Sequence, residues 1–184
     1  WNTMLVDGTD GTKTWVPTFP QARYLMGRVE FAHWQGERAR DDMEAVFADS
    51  VAPIHEAGLA DLVETDHRIC DEISLVPTTG HTPGHVSVHI VSEGEEALIT
   101  CDFMHHPCQI ARPDWSSTAD SDPDEARRTR RRMLHQLCDR PVLVIGTHFA
   151  GATAGHIVRD GDAYLLTGTK SYVTNGPIAD VVVV

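Results

Sequence analysis

Short apolar runs that end in turn residues are the feature that most limits how this chain of 184 residues can fold. Runs of this length predict β-strands, and apolar residues at helical spacing between them predict surface helices. We therefore expect an α/β protein of the α+β layered kind, in which loops at the strand ends carry the polar residues. The predicted strands are residues 22–27, 73–77, 86–91, 97–101, 141–145, 157–158 and 164–166.

The same pattern predicts the helices, turns and loops between these strands. Asp122 followed by Pro123 is typical of a helix start. Glycine and acidic residues at 92–94 and 159–162 predict two β-hairpins, and the Gly-, Thr- and Pro-rich opening up to Pro20 predicts a loop. The predicted helices are a helix through Glu30, Phe31 and Trp34, residues 38–63, broken near Pro53 and Gly58, and residues 123–138.

The charge of the chain excludes one class of partner. Fifteen Lys and Arg against twenty-seven Asp and Glu give a formal net charge of −12 at pH 7. An acidic surface repels phosphate backbones, so we expect no nucleic-acid partner, and the arginine-rich run 127–132 is expected to be a solvated helix face. No apolar stretch is long enough for a bilayer, so we expect no membrane association. Four widely spaced cysteines without a C-x-x-C pair predict reduced thiols in the cytoplasm.

Histidine is unusually abundant in this sequence. There are eleven histidines, more than core packing needs, and most of them gather in four places. Because imidazole is the commonest metal ligand in proteins, this clustering indicates a metal site. The clustered histidines are His81, His85 and His89, then His105 and His106, then His148, and then His156.

Three predicted strand ends each carry a residue that can bind a metal. His81 lies in a Gly-His-Thr-Pro-Gly-His loop between two strands, and Asp102 and His148 each follow a short apolar strand. Each residue has an ordinary alternative: a polar tip on a turn, an aspartate that starts a turn, or a structural histidine. Strand ends that meet at one edge of a sheet bring nitrogen and oxygen ligands together, as a divalent metal site requires.

Taken in order, these motifs resemble the second half of the metallo-β-lactamase-fold hydrolases, from residue 1 to about residue 166. The segments FPQARYLMGRVEFAHW and CDFMHHPCQI are similar to the branch that contains lactonases, arylesterases and organophosphate hydrolases like methyl parathion hydrolase. The resemblance implies a metallo-β-lactamase-like αββα sandwich, incomplete in this chain. It implies a hydrolase that cleaves an ester, lactone or phosphotriester with a metal-activated water. The implied cofactor is Zn²⁺, two ions in an intact site, although other divalent metals suit the same ligands.

The resemblance also implies a role for each site residue. His81 binds one metal, Asp102 bridges two metals, and His148 binds the second metal. His105 lies where related lactonases place a tyrosine, and we expect it to donate a hydrogen bond to the developing anion, which makes Asp102 and His105 the expected catalytic residues. His85 is expected to support a ligand or to be a satisfied structural histidine. The residues expected to line the substrate pocket are Phe103, Met104 and Trp115.

The family's leading H-x-H-x-D-H motif, which supplies further ligands, does not occur in these 184 residues. Three ligands divided between two metals leave each ion with about two protein contacts, whereas a catalytic zinc has about three. We therefore expect the chain as it stands to bind metal poorly. The competing hypothesis is a non-catalytic remnant or oligomerising module of the same fold, and we expect a homo-oligomer.

The last residues, 160–184, resemble a different family. They contain Leu-Thr-Gly-Thr-Lys-Ser-Tyr-Val-Thr-Asn-Gly and are similar to the flavin-contacting β segment of acyl-CoA dehydrogenases, where Tyr172 and Thr174 face the flavin. The catalytic-carboxylate segment of that family is not present, so a flavin-linked dehydrogenase fragment is the weaker alternative and we expect no flavin. We accordingly divide the chain into a metallo-β-lactamase-like domain, 1–166, and a β tail, 167–184, and expect a piece of a larger protein at both ends.

Overall fold

The structure is a computed structural model that describes residues 2–36, 41–150 and 153–168, with the backbone alone for 41–43. The chain divides into two compact units, Trp1–Glu64 and Thr65–Val184. Both units contain helices and strands, which confirms the predicted mixed α/β class. Within the described ranges, no helix is both long enough and apolar enough to cross a membrane.

The first unit combines two small sheets with helices. Strands β1 and β2 form an antiparallel hairpin, and β3 pairs in parallel with β4. The helices lie in the connection between β3 and β4, as a parallel pair requires. The elements of this unit are β1 (Thr3–Asp7), β2 (Lys13–Pro17), β3 (Tyr24–Gly27), α1 (Arg28–Gly36), α2 (Asp41–Ser50), α3 (Ala52–Glu56) and β4 (Ala60–Val63).

Two predictions for the first unit are wrong. The opening segment, expected to be a loop, forms the β1–β2 hairpin, because its glycines and Asp10 build the turn: the Asp10 carboxylate accepts hydrogen bonds from the backbone N–H and hydroxyl of Thr12. The helix expected over 38–63 ends with α3, and residues 60–63 form β4 instead. Gly58 takes a φ of +69°, which turns the chain out of the helix before it joins the sheet.

The second unit is built on a sheet of six strands in the order β10-β9-β8-β7-β6-β5. Neighbouring strands are antiparallel except β7 and β8, which are parallel. Glu93 and Gly94, at φ +51° and +85°, connect β6 to β7 in a two-residue turn with the backbone that tight hairpins favour, which confirms the first predicted hairpin. The strands are β5 (Ile73–Pro77), β6 (Val86–Ser92), β7 (Glu95–Ile99), β8 (Val142–Ile145), β9 (Ala154–Asp160) and β10 (Ala163–Thr167).

Two helices, α4 (Cys108–Ala111) and α5 (Pro123–Leu137), lie in the crossover between β7 and β8. Asp122 caps α5 as predicted, since its carboxylate accepts a hydrogen bond of 2.9 Å from the backbone N–H of Glu125. The second predicted hairpin also forms, as β9 and β10. The local signals in the sequence therefore place this part of the fold correctly.

The hydrophobic core of the second unit lies between α5 and one face of the sheet. Burial of one large apolar side chain stabilises the fold by about 1.5–3 kcal/mol, so these contacts fix the helix on the sheet. The core cluster contains Leu98, Phe103, Met104, Ile110, Met133, Leu134, Leu137, Val142, Val144, Phe149 and Ile157.

The opposite face of the sheet is also apolar. The strand register places Leu75, Val88, Ile99 and Ile145 in one row across four strands, and all four side chains are only partly buried. Leu143, on the same face of β8, is 36% exposed. A partly exposed apolar face of this kind is typical of a surface that packs against more protein.

The same register brings the predicted site residues to one edge of the sheet. Ile99, at the end of β7, pairs with Val88 near the start of β6 and with Ile145 at the end of β8. The loop before β6 and the segments after β7 and β8 therefore meet. These are the three segments that hold the predicted metal ligands.

Candidate functional site

His81 lies in a tight loop that is anchored to the start of α5. Gly80 takes a φ of +127° and packs so closely on α5 that a Cβ atom there would overlap the backbone of Ala126. The backbone N–H of Ser121 donates to the carbonyl of His81, and that of Asp122 donates to the carbonyl of Gly80, both at 2.9 Å. These contacts hold the His81 ring in a defined place, with its side chain 16% exposed.

Asp102 lies between two imidazole rings. It belongs to a short 3₁₀ turn, Cys101–Phe103, that follows β7. His148 Nε2 lies 2.6 Å from Asp102 Oδ1, and His81 Nε2 lies 3.5 Å from Asp102 Oδ2, so each carboxylate oxygen faces one ring. The structure thus brings together the three residues that the sequence predicts as metal ligands. Imidazole nitrogens around a carboxylate are a donor set that fits Zn²⁺ and similar divalent ions.

Cys101 precedes Asp102 and has a φ of +48°, a strained conformation for a residue other than glycine. Burial, and after it the charge of Asp102, raises the pKa of the Cys101 thiol. Because the thiolate and not the thiol is the nucleophile and metal ligand, the raised pKa makes Cys101 a poor nucleophile and a poor metal ligand.

His85 holds the backbone of Asp102 in place. The backbone N–H of Asp102 donates to His85 Nε2 at 2.9 Å, so this nitrogen carries a lone pair and the ring proton lies on Nδ1. His85 Nδ1 then donates to the carbonyl and hydroxyl oxygens of Thr78, both at 2.9 Å. The Ser87 hydroxyl donates to the carbonyl of Thr100, so the Thr78 hydroxyl donates to Ser87 Oγ. The buried chain of hydrogen bonds therefore selects one tautomer of His85.

Asp120 is a site residue that sequence reasoning missed. Its side chain is fully buried, and its Oδ1 lies 3.4 Å from His81 Nδ1. Its Oδ2 accepts a hydrogen bond of 3.1 Å from the backbone N–H of Ser117 and lies 3.5 Å from a guanidinium nitrogen of Arg130. Arg130 is fully buried as well and donates to two backbone carbonyls. In the sequence, an aspartate in a polar loop before an arginine-rich helix carries no signal that separates it from surface residues.

His105 lies beside two of the predicted ligands, with ring centroids 4.9 Å from His81 and 5.5 Å from His148. Burial, and after it the neighbouring His81, lowers the pKa of His105. Among the described residues its Nδ1 has no hydrogen-bond partner, and it is sealed from solvent. One possible ligand atom from each of His81, His105 and Asp120 lies within 4.8 Å of the other two.

The predicted pocket residues divide between the core and the surface. Phe103 and Met104 are 1% and 0% exposed and belong to the hydrophobic core, whereas Trp115 is 59% exposed. Of the three, Trp115 is the side chain that a ligand can reach from solvent. The residues predicted to face a flavin, Tyr172 and Thr174, lie in 169–184, outside the described residues.

The fold and the site together define a class of protein: an α/β layered fold whose strand ends present histidine and aspartate at one edge of a sheet. The sequence profile of the Metallo-beta-lactamase superfamily matches residues 11–148. The chain therefore belongs to the metallo-β-lactamase superfamily, which confirms the family that its motifs indicate. No curated protein sequence matches it.

Solved structures share this fold. Hydrolase AbOPH, of the beta lactamase superfamily, superposes with a TM-score of 0.73 at 22% identity over 86% of this chain and 58% of its own. AidC, a dizinc quorum-quenching lactonase, superposes with a TM-score of 0.70 at 19% identity, over 86% of this chain and 58% of its own. A probable metal-dependent hydrolase from Staphylococcus aureus superposes with a TM-score of 0.65 at 21% identity, over 83% of this chain and 55% of its own. This chain thus spans less than two thirds of the length of these proteins, and the similarity shows the fold.

Proposed function

We propose that the protein is a metal-dependent hydrolase that cleaves a small-molecule ester, lactone or phosphotriester. The observation that carries this proposal is the position of Asp102 between His81 and His148, with one oxygen toward each ring. Zn²⁺ is the proposed metal, because nitrogen and carboxylate donors suit it and because a dizinc lactonase has the same fold. The four free cysteines suit a reducing compartment, and we place the protein in the cytoplasm.

Each ligand has a separate task in this proposal. His81 would hold one metal and His148 the second, and Asp102, each of whose oxygens faces one of the two rings, would help to hold both. The metals supply Lewis acidity, which lowers the pKa of water and polarises a carbonyl or phosphoryl oxygen. His85 fixes the backbone of Asp102 through the 2.9 Å hydrogen bond to its N–H, so that the carboxylate stays directed at both rings.

Two further residues act on the substrate. His105, next to the rings of His81 and His148, donates a hydrogen bond to the substrate oxygen that gains negative charge. Trp115 offers an exposed aromatic surface to the apolar part of the substrate. Phe103 and Met104, which lie between Asp102 and His105 in the chain, belong to the hydrophobic core.

The test joins this chain to an upstream segment that carries H-x-H-x-D-H and measures zinc content and turnover of an aryl ester, a lactone and a phosphotriester. We expect Asp102→Asn to cause the largest loss of zinc and turnover, because it removes the shared bridge and leaves two cations repelling each other. We expect His105→Gln to lower turnover by about 10²–10³ with zinc content intact, as loss of one hydrogen bond to a developing anion does.

The matched control is His89→Gln. His89 lies on β6 and faces Glu96 at 3.5 Å, away from the strand ends, so this change should leave zinc content and turnover unchanged. Wild-type zinc content and turnover in Asp102→Asn would refute the bridging role. Strong metal-dependent hydrolysis by the 184-residue chain alone would show that the count of ligands behind this proposal is wrong.

A second candidate function is a non-catalytic oligomerising module, and the apolar row of Leu75, Val88, Ile99 and Ile145 favours it. Such a module needs the sheet but not the metal ligands. The extended protein separates the two functions, because a module would assemble equally well in wild type and Asp102→Asn and would hydrolyse none of the three substrates.

A further inference from the structure

We propose that the chain holds one divalent transition metal at a second site formed by His81, His105 and Asp120, without Asp102 or His148. The side chains of His81, His105 and Asp120 each place a possible ligand atom within 4.8 Å of the other two. This site shares His81 with the proposed hydrolytic centre, but the inference does not rest on that function. The second site uses the Nδ1 side of the His81 ring, which faces Asp120, whereas the Nε2 side faces Asp102.

The distance between His81 and Asp120 suits two ligands of one metal better than a strong hydrogen bond. His81 Nδ1 lies 3.4 Å from Asp120 Oδ1, which is longer than the 2.7–2.9 Å typical of a charge-assisted hydrogen bond. A tetrahedral zinc site with bonds of about 2.0–2.1 Å has edges of about 3.3–3.4 Å between neighbouring ligand atoms. The nitrogen and the oxygen are therefore already separated by one edge of such a site.

His105 supplies an independent observation. Its Nδ1 is sealed from solvent and has no hydrogen-bond partner among the described residues. A buried polar atom left unpaired costs about 1–3 kcal/mol, so the cluster as folded leaves an interaction unmade. The ring lies 4.9 Å from that of His81, close enough for both imidazoles to contact one ion.

Asp120 is held in the orientation that a ligand needs. Its Oδ2 is occupied by the N–H of Ser117 and faces the guanidinium of Arg130, whereas its Oδ1 is directed at His81. Partners of this kind behind a metal-binding carboxylate fix its direction and raise affinity. Arg130 also shares its charge with two backbone carbonyls, so it does not cancel the carboxylate completely.

The site implies a choice between the two nitrogens of His81. A neutral imidazole has one lone pair, so a metal on Nδ1 leaves the proton on Nε2, from which Asp102 Oδ2 is 3.5 Å away. The second site and the hydrolytic centre are therefore alternatives for the same ring. With three protein ligands and one water molecule as the proposed fourth ligand, the second site needs no residue outside the described chain.

The experiment titrates the metal-free 184-residue chain with Co²⁺ and then displaces the Co²⁺ with Zn²⁺. We expect one equivalent of Co²⁺ with the visible absorption of a four-coordinate ion, and coordination of His81 through Nδ1 in ¹H–¹⁵N spectra of the imidazole rings. His105→Gln and Asp120→Asn should each weaken Co²⁺ binding by about 100-fold or more, since even loss of an indirect partner costs 10–100-fold.

His89→Gln is the matched control and should bind Co²⁺ like the wild-type chain, because His89 faces Glu96 and not the cluster. If instead Asp102→Asn and His148→Gln lose Co²⁺ while His105→Gln keeps it, the metal binds at the strand-end ligands and the second site is refuted. The absence of any Co²⁺ binding by the wild type would show that the cluster is a hydrogen-bonded one, which also overturns the inference. Asp120→Asn leaves Arg130 partly unpaired, so circular dichroism checks its fold, and His105→Gln decides the question if it unfolds.

Discussion

Replacement of Gly80 by alanine tests the close contact between the His81 loop and the backbone of α5. Gly80 has a φ of +127°, and an added Cβ would overlap the backbone nitrogen and Cα of Ala126 and lie 2.8 Å from the carbonyl carbon of Glu125. All three atoms belong to the helix backbone, which cannot move aside as the end of a side chain can.

The expected cost has two parts. A residue with a side chain held at such a backbone conformation costs about 1–3 kcal/mol, and overpacking of a tight contact costs about 1–3 kcal/mol more. We therefore expect Gly80→Ala to lower the free energy of unfolding by about 4 kcal/mol, a large part of the 5–15 kcal/mol that a typical domain has. The shifted loop should also weaken metal binding through His81.

Gly94 provides the matched control, because it has a φ of +85° and an added Cβ there would meet no atom within 4 Å. Gly94→Ala carries the backbone cost without the overlap, about 1–2 kcal/mol. Urea unfolding of both variants, compared at equal m-value, measures the difference. Losses of stability that agree within about 1 kcal/mol would refute the reasoning, since the overlap with α5 would then contribute nothing.

Two further predictions concern the second unit. Arg130→Met leaves Asp120 buried without its partner and should destabilise the fold by about 3–5 kcal/mol in the same assay, whereas Arg131→Met, which removes an exposed pair with Asp114, should cost under about 1 kcal/mol. Equal costs would mean that the Arg130 pair is solvated. The partly exposed apolar face that includes Leu143 predicts a dimer in sedimentation, weakened by Leu143→Lys. A compact monomer that binds no hydrophobic dye would contradict that prediction.

The sequence was sufficient wherever a short segment carries its own signal. The two-residue turn at Glu93 and Gly94 and the Asp122 cap of α5 depend on neighbouring residues alone, and both form as predicted. The family could also be read from motif order, since its profile matches residues 11–148. The roles of the strand-end ligands remain predictions, although the structure brings His81, Asp102 and His148 together.

Local signals failed where a segment's state depends on a distant partner. Residues 60–63 continue an apolar pattern that suits a helix, but they form β4 because β3 offers a parallel edge for pairing. The opening segment likewise becomes a strand pair by matching Thr3–Asp7 with Lys13–Pro17. A pattern within one segment cannot show which other segment will pair with it.

The sequence by itself determined the strand ends that carry the candidate ligands, because alternation and turn chemistry are local. Only the tertiary structure separated Arg130 from the other arginines of the run 127–132 and joined it to Asp120 behind His81. The physical reason is that burial and pairing of a charge are properties of the space around it. That space is created by α5 packing on the sheet and by the His81 loop folding against the start of the helix.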